Sequence, residues 1–252
     1  GIPADVSMTV DRYIADARRL GDVNTTLVTG YVEGTIGYDS NLNAGPSKSS
    51  LAIPSLGNVP FVLGKDSKSN SDTFAAIGGG VNVRTPLGDG YVLLGGVSGA
   101  SRGNFSEQQF DTQNADMNVG ITKTVDKDVF TLMATAGVYY LDNDRYRNYT
   151  GLTGQWQRNL DARNQIGAFV QYSDLHYPTI DTQDADRWVA GMSYAHLYRD
   201  GVMAFASAYY VGERPQENHV DYLGFDGLGV RVGGRMNLDS QTTLFGGATY
   251  EY

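Results

Sequence analysis

The chain has 252 residues, no cysteine, a mean hydropathy of −0.31 and a net charge of −9 from 28 acids against 19 bases. These values exclude a disulfide scaffold or thiolate metal site and argue against a nucleic-acid binder, and no window approaches the roughly 18 unbroken apolar residues of a transmembrane helix. They leave open a membrane crossed by strands, each of about 10 residues with alternate ones apolar.

In chain order, the opening GIPADVSMTVDRY has no basic segment leading into an apolar one, so it is not a signal peptide. An exported protein would carry this sequence as a mature form or a fragment. Residues 6–20 predict an amphipathic helix, because Val10, Tyr13, Ile14 and Ala17 recur at helical spacing and Gly21 stops the run. Residues 1–24 thus read as a helix and linker, the end of a helical-repeat domain being one origin for them. Residues 25–252 read as a second unit of all-β character.

After Gly21 the period changes to two. Eleven strands are predicted, at about 26–40, 72–85, 90–103, 112–125, 128–142, 146–160, 162–174, 186–198, 201–213, 224–238 and 241–252. In 112–125, Met117, Val119 and Ile121 oppose Asp116, Asn118 and Thr122. In 224–238, Leu228, Val230, Val232 and Met236 oppose Arg231 and Arg235. Strands of this length are far longer than the usual five or six residues of soluble proteins. A soluble sandwich or solenoid is the alternative, in which tyrosine at strand ends is ordinary packing.

The connections alternate. TPLGDG, VDKD, NLDARN, YRDG and NLDSQ are tight and carry the Gly, Asp and Asn of hairpin turns. Between them, 41–71, 104–111, 174–185 and 214–223 are long, while 142–145 is brief. Short turns at one end and long loops at the other describe an up-and-down outer-membrane β-barrel. Tyr38, Tyr139, Tyr140, Tyr172, Tyr194, Tyr198, Tyr209, Tyr210, Tyr250 and Tyr252 lie towards strand ends, where a lipid–water boundary suits the ring and its hydroxyl. Eleven strands is an odd number, whereas single-chain bacterial barrels have even ones. Either the last one to three strands are missing from the sequence, giving 12–14 in all, or one strand is miscounted.

Strand parity assigns Glu33, Asp116, Asn118, Gln155, Gln157, Gln165, Gln171, Arg187, Arg231, Arg235 and Glu251 to the lumen. They form either a salt-bridged wall or a polar conduit. No Walker loop, HExxH, G-x-S-x-G elbow or EF-hand occurs, and the mid-strand glycines at 78–80, 95–96, 233–234 and 246–247 suit close packing or sheet bends. No catalytic residue, metal or cofactor is expected. His176 and His219 fall in outer loops beside Asp174, Asp181, Asp184, Glu217 and Asp221, and a rim hydrolase built on them is the least favoured alternative. His196 reads as interfacial. Asp181, Asp184, Asp186 and Asp226 lack calcium-loop spacing and read as hydrated surface.

The strand ending G-x-G-Y-D-S-N-x-N, with Gly34, Gly37, Tyr38, Asp39, Ser40, Asn41 and Asn43, resembles the start of the barrel in surface lipoprotein assembly modifiers (Slam). LFGGATYEY, residues 244–252, resembles a late strand of that group. The resemblance implies a periplasmic tetratricopeptide-repeat domain ahead of a 14-stranded barrel. It also implies assistance in exporting or displaying lipoprotein or related protein cargo. An exopolysaccharide exporter or diffusion porin is the alternative. The expected surroundings are outer-membrane lipid and lipopolysaccharide, with no nucleic acid and an open oligomeric state.

Overall fold

A computed structural model describes residues 25–42, 50–52, 60–62, 70–199, 201–217, 219–220, 224–239 and 242–252. The helix expected at 6–20 lies outside the described residues, as does Asn43.

The strands are β1 (Leu27–Asp39), β2 (Ser50–Ala52), β3 (Pro60–Val62), β4 (Asp72–Gly88), β5 (Tyr91–Asn104), β6 (Thr112–Val125) and β7 (Asp128–Leu141). They continue as β8 (Asp144–Asn159), β9 (Asn164–His176), β10 (Ala185–Arg199), β11 (Val202–Pro215), β12 (Phe225–Asn237) and β13 (Thr243–Glu251). One 11-stranded antiparallel sheet takes them in sequence order, except that β2 and β3 form their own two-stranded sheet. That small hairpin lies inside the long connection from β1 to β4. It was not anticipated, because strands of three residues carry no readable period.

Among the described residues the sheet is open, with β1 and β13 at its edges. Ten antiparallel steps separate them, so these two edge strands run in the same direction.

The period of two has a direct structural meaning. Val32, Ile36, Ile77, Val97, Met117, Val119, Leu132, Leu152, Met192, Leu228 and Val230 are all exposed, and the register puts them on one face. The opposite face holds the buried residues, including Leu175, Val189, Ser173, Gln171, Arg187, Asp116 and Tyr209. Val189 and Ser173 have 0% exposure, yet no second layer among the described residues packs over them. The sheet must therefore curl over this face. Side chains two strands apart meet there: Tyr149 Oη donates to Asp116 Oδ1 at 2.7 Å, and Arg102 on β5 reaches Asp39 on β1 at 3.1 Å.

The tight connections form as their residues dictate. Asp89 and Gly90 turn β4 into β5 with φ of 51° and 75°, and Asp142 and Asn143 turn β7 into β8 with φ of 53° and 64°. Asp, Asn and Gly tolerate this left-handed region. The two NLD turns share one device. Asp161 accepts from the N–H of Arg163 and of Asn164, and Asp239 accepts from the N–H of Thr242. The Asn164 amide first, and the Arg163 N–H next, hold the Asp161 carboxyl below the usual carboxylate range.

The facial assignment makes a prediction. Val119→Arg, in the centre of β6 with Gly95 and Ala134 as its register partners, is expected to cost about 2–4 kcal/mol of stability in a bilayer. Ser98→Arg, on the inner face beside Asp116, should fold as wild type. Urea unfolding in lipid vesicles checks both, and equal midpoints for the two variants would reverse the assignment.

Candidate functional site

Every lumen candidate read from parity falls on the inner face: Glu33, Asp116, Asn118, Gln155, Gln157, Gln165, Gln171, Arg187, Arg231, Arg235 and Glu251. Some are brought together. Gln171 Nε2 donates to Ser173 Oγ at 3.2 Å, and Ser173 pairs in register with Arg187. Arg187 in turn holds Glu213, with Nη2 at 2.6 Å and Nε at 2.7 Å from the same Oε2. This strip is buried among Val189, Val211 and Leu175. Gln165 donates to Asn159 at 3.0 Å, and Arg231 lies 5.8 Å from the centre of the Phe205 ring. Glu33 is remote from these, on the opposite edge strand.

Parity also reaches inner residues that the sequence reading passed over. Arg84, Arg102, Arg147 and Glu213 share the phase of their strands' polar sets and were legible by the same rule. Arg102 is the most engaged of them, stacking 3.8 Å from the Phe74 ring centre while it holds Asp39.

A second pattern was not legible. On the inner face, aromatic rings lie over glycines directly paired with them: Phe74 over Gly37, Tyr31 over Gly80, Tyr149 over Gly137, Phe169 over Gly191, Tyr209 over Gly229 and Phe205 over Gly233. Two of these rings reach across their glycine to a carboxylate on the strand beyond. Tyr149 crosses Gly137 to Asp116, and Tyr209 crosses Gly229 to Glu251 at 2.7 Å. Tyr139 and Tyr209, expected at the lipid boundary, face inward instead. Both sit in the odd phase of their strands, where the paired strand offers an arginine or a glycine to cover.

The YDSN segment finishes β1. Gly37 leaves room for the Phe74 ring, and Tyr38 points outward with 67% exposure. Asp39 holds Arg102 and accepts the Asn41 N–H at 3.0 Å, which turns the chain out of the strand at Ser40. In the loops, His176 Nδ1 lies 2.7 Å from Asp184, which also accepts the Tyr177 N–H. His219 lies 3.1 Å from Glu217. Asp226 is held by Arg214, and Asp186 accepts from Tyr172 at 2.6 Å. Among the described residues, no three carboxylate or histidine side chains converge on a common metal position.

The polarity is thus inverted relative to a water-soluble protein, with apolar residues outside and hydrogen-bonded polar ones inside. No family model matches the sequence, and no curated protein matches it either. In structure, the chain is similar to an outer-membrane channel from Pseudomonas putida F1, with a TM-score of 0.58 and 9% identity over 92% of this chain and 91% of that one. The described sheet has the up-and-down strand order of an outer-membrane β-barrel, open between β1 and β13. The toluene transporter TodX of Pseudomonas putida (TM-score 0.49, 9% identity, 89% and 81% covered) is also similar. So is the translocator domain of the autotransporter NalP from Neisseria meningitidis (0.45, 9%, 99% and 90%).

The fold and the lipid-facing belt place the chain in a bacterial outer membrane. Two aromatic girdles bound the belt, as such barrels require. Tyr38, Tyr140, Tyr172, Trp188 and Tyr210 lie towards the loop end of the outer face. Trp156, Tyr194 and Tyr198 lie towards the turn end. Trp156 donates to Asp128 at 2.9 Å there, and His196, between Tyr194 and Tyr198, meets Asn164 at 2.7 Å. Tyr172 at Asp186, Tyr210 at Asp226, Trp156 at Asp128 and Tyr194 at Asn164 keep a polar tip on a polar neighbour while the ring faces lipid.

Proposed function

We propose that the barrel is an outer-membrane transport protein that moves a polar cargo along its inner face, with no covalent chemistry. The observation that carries this reading is the inner face itself. It presents amides, hydroxyls and charges of both signs, where an apolar filling would have sealed the sheet more cheaply. Arg84, Arg102, Arg147, Arg187, Arg231 and Arg235 share it with Glu33, Asp39, Asp116, Glu213 and Glu251. Such a mixed wall suits polar solutes without strong selection for the sign of their charge.

The more specific reading is a translocon that helps export or display lipoprotein or related protein cargo. Its support is the resemblance of residues 34–43 to the Slam barrel. Tyr38, Asp39 and Asn41 already have a structural task at the top of β1, so solute passage stands first. Outer-membrane lipid and lipopolysaccharide are the proposed surroundings of the belt.

Reconstitution in a planar bilayer tests the proposal. Discrete conductance steps with weak cation–anion preference are expected. Silent bilayers from protein that is folded by its heat-modifiable gel mobility would remove solute passage and leave protein export as the surviving reading.

A further inference from the structure

At the turn end of the inner face, a cavity of about 270 Å³ lies where the β8–β9 turn meets β10, β11 and β12. Leu197 and Met203 form its apolar part, and Asn159 and Gln165 its amide part. Two guanidinium groups line it, from Arg163 in the turn and Arg235 on β12. Among the described residues neither has an ion-pair or hydrogen-bond partner for its side chain, and the Nε of Arg235 is buried without one. Every other inner-face arginine has a carboxylate, a ring or a further contact: Arg102 with Asp39, Arg187 with Glu213, Arg231 over Phe205 and Arg147 near Tyr139, Arg84 excepted.

We propose that this cavity is a binding site for an oxyanion, a carboxylate or phosphate group presented by a molecule that enters the barrel from its turn end. The Nε of half-buried Arg235 is shut off from solvent without a partner, which is costly, and the planar fork of a guanidinium matches both groups. Asp161 lines the same cavity but is spent on its own turn: its oxygens accept from the Arg163 and Asn164 N–H groups and from Asn164 Nδ2 at 2.7 Å. Two cations against one turn-bound carboxylate leave the cavity positive. Asn159, Gln165, Leu197, Met203 and Arg235 are inner-face positions on five successive strands, so a cargo group is the expected source. A phosphate of the inner lipid leaflet is the other source of the same chemistry.

Calorimetric titration of the folded barrel with sodium phosphate, against sodium chloride at matched ionic strength, tests the site. Saturable phosphate binding is expected, weakened about tenfold or more in Arg235→Gln and in Arg163→Gln. Arg163 sits on a turn and supports no strand pairing with its side chain, so its variant carries the test even if Arg235→Gln folds poorly. The titration is repeated in nanodiscs of phosphatidylglycerol and of phosphatidylcholine. Phosphate binding in both assigns the site to a cargo group, and its loss only in phosphatidylglycerol assigns it to a lipid headgroup. Absence of saturable binding to wild type, or unchanged affinity in both variants, overturns the proposal. Calorimetry reads the site whether or not the barrel conducts, so its failure and that of the transport reading remain distinct.

Discussion

Gly229→Val is expected to destabilise the barrel by about 3–5 kcal/mol, the sum of an overpacked wall and a lost hydrogen bond to a carboxylate. A Cβ at residue 229 would lie 2.1 Å from Tyr209 Cζ and 2.4 Å from its hydroxyl oxygen. The ring cannot step aside cheaply, because it is 4% exposed and sits against Phe169, Val189 and Val211. Moving it also breaks the 2.7 Å bond to Glu251, which ties β11 to β13 across β12. Urea unfolding in vesicles should show the full loss for Gly229→Val. In a Tyr209→Ala background the same valine should cost well under half as much, since the clash is gone. A Gly229→Val midpoint equal to wild type would mean that the ring does not rest on this glycine.

The same geometry explains what the sequence could and could not reveal. Alternation in residues such as Met117, Val119 and Ile121 gave the strands, because lipid demands an apolar side chain at every second position and permits little else there. The aspartates of TPLGDG and NLDARN gave the turns, because their side chains cap the next N–H groups or accept a positive φ. Both signals are local. Facing was therefore legible for the polar inner residues, including Arg231 and Arg235. Register was not. Gly137 and Gly229 carry no mark that tells them from other strand glycines until Tyr149 and Tyr209 are placed opposite them. For the same reason Tyr139 and Tyr209 read as boundary residues, although one strand's phase turns them inward.

Glycine–aromatic pairing also bears on function. A ring lying over a glycine of the neighbouring strand packs against the wall. Phe169, Tyr209 and Phe205 thus thicken the β9–β12 wall while leaving the polar groups of Ser207, Arg231 and Thr249 along their own rung. Apolar bulk and a polar surface coexist on one face by this means. It is a way for an inward face to be both well packed and polar.

Arg187→Met discriminates a packed interior from a wet one at the β9–β11 wall. The Arg187 side chain is 5% exposed and that of Glu213 14%, with Nη2 and Oε2 2.6 Å apart. Removing the arginine alone strands a buried carboxylate, for which a loss of about 3–5 kcal/mol is expected. Arg187→Met with Glu213→Leu removes both charges, and burial of two apolar side chains beside Val189 and Val211 should return most of that stability. If water instead reaches the pair in the membrane, the single variant should lose only about 0–1 kcal/mol, as an exposed ion pair does, and the double variant should gain nothing over it. Urea midpoints of the three proteins in vesicles decide between these outcomes. A large single loss with recovery in the double variant would confine the path of the proposed polar cargo to the rest of the inner face, where Glu33, Asp116 and Arg231 lie. A small one would extend it along the β10–β11 rungs to the loop end.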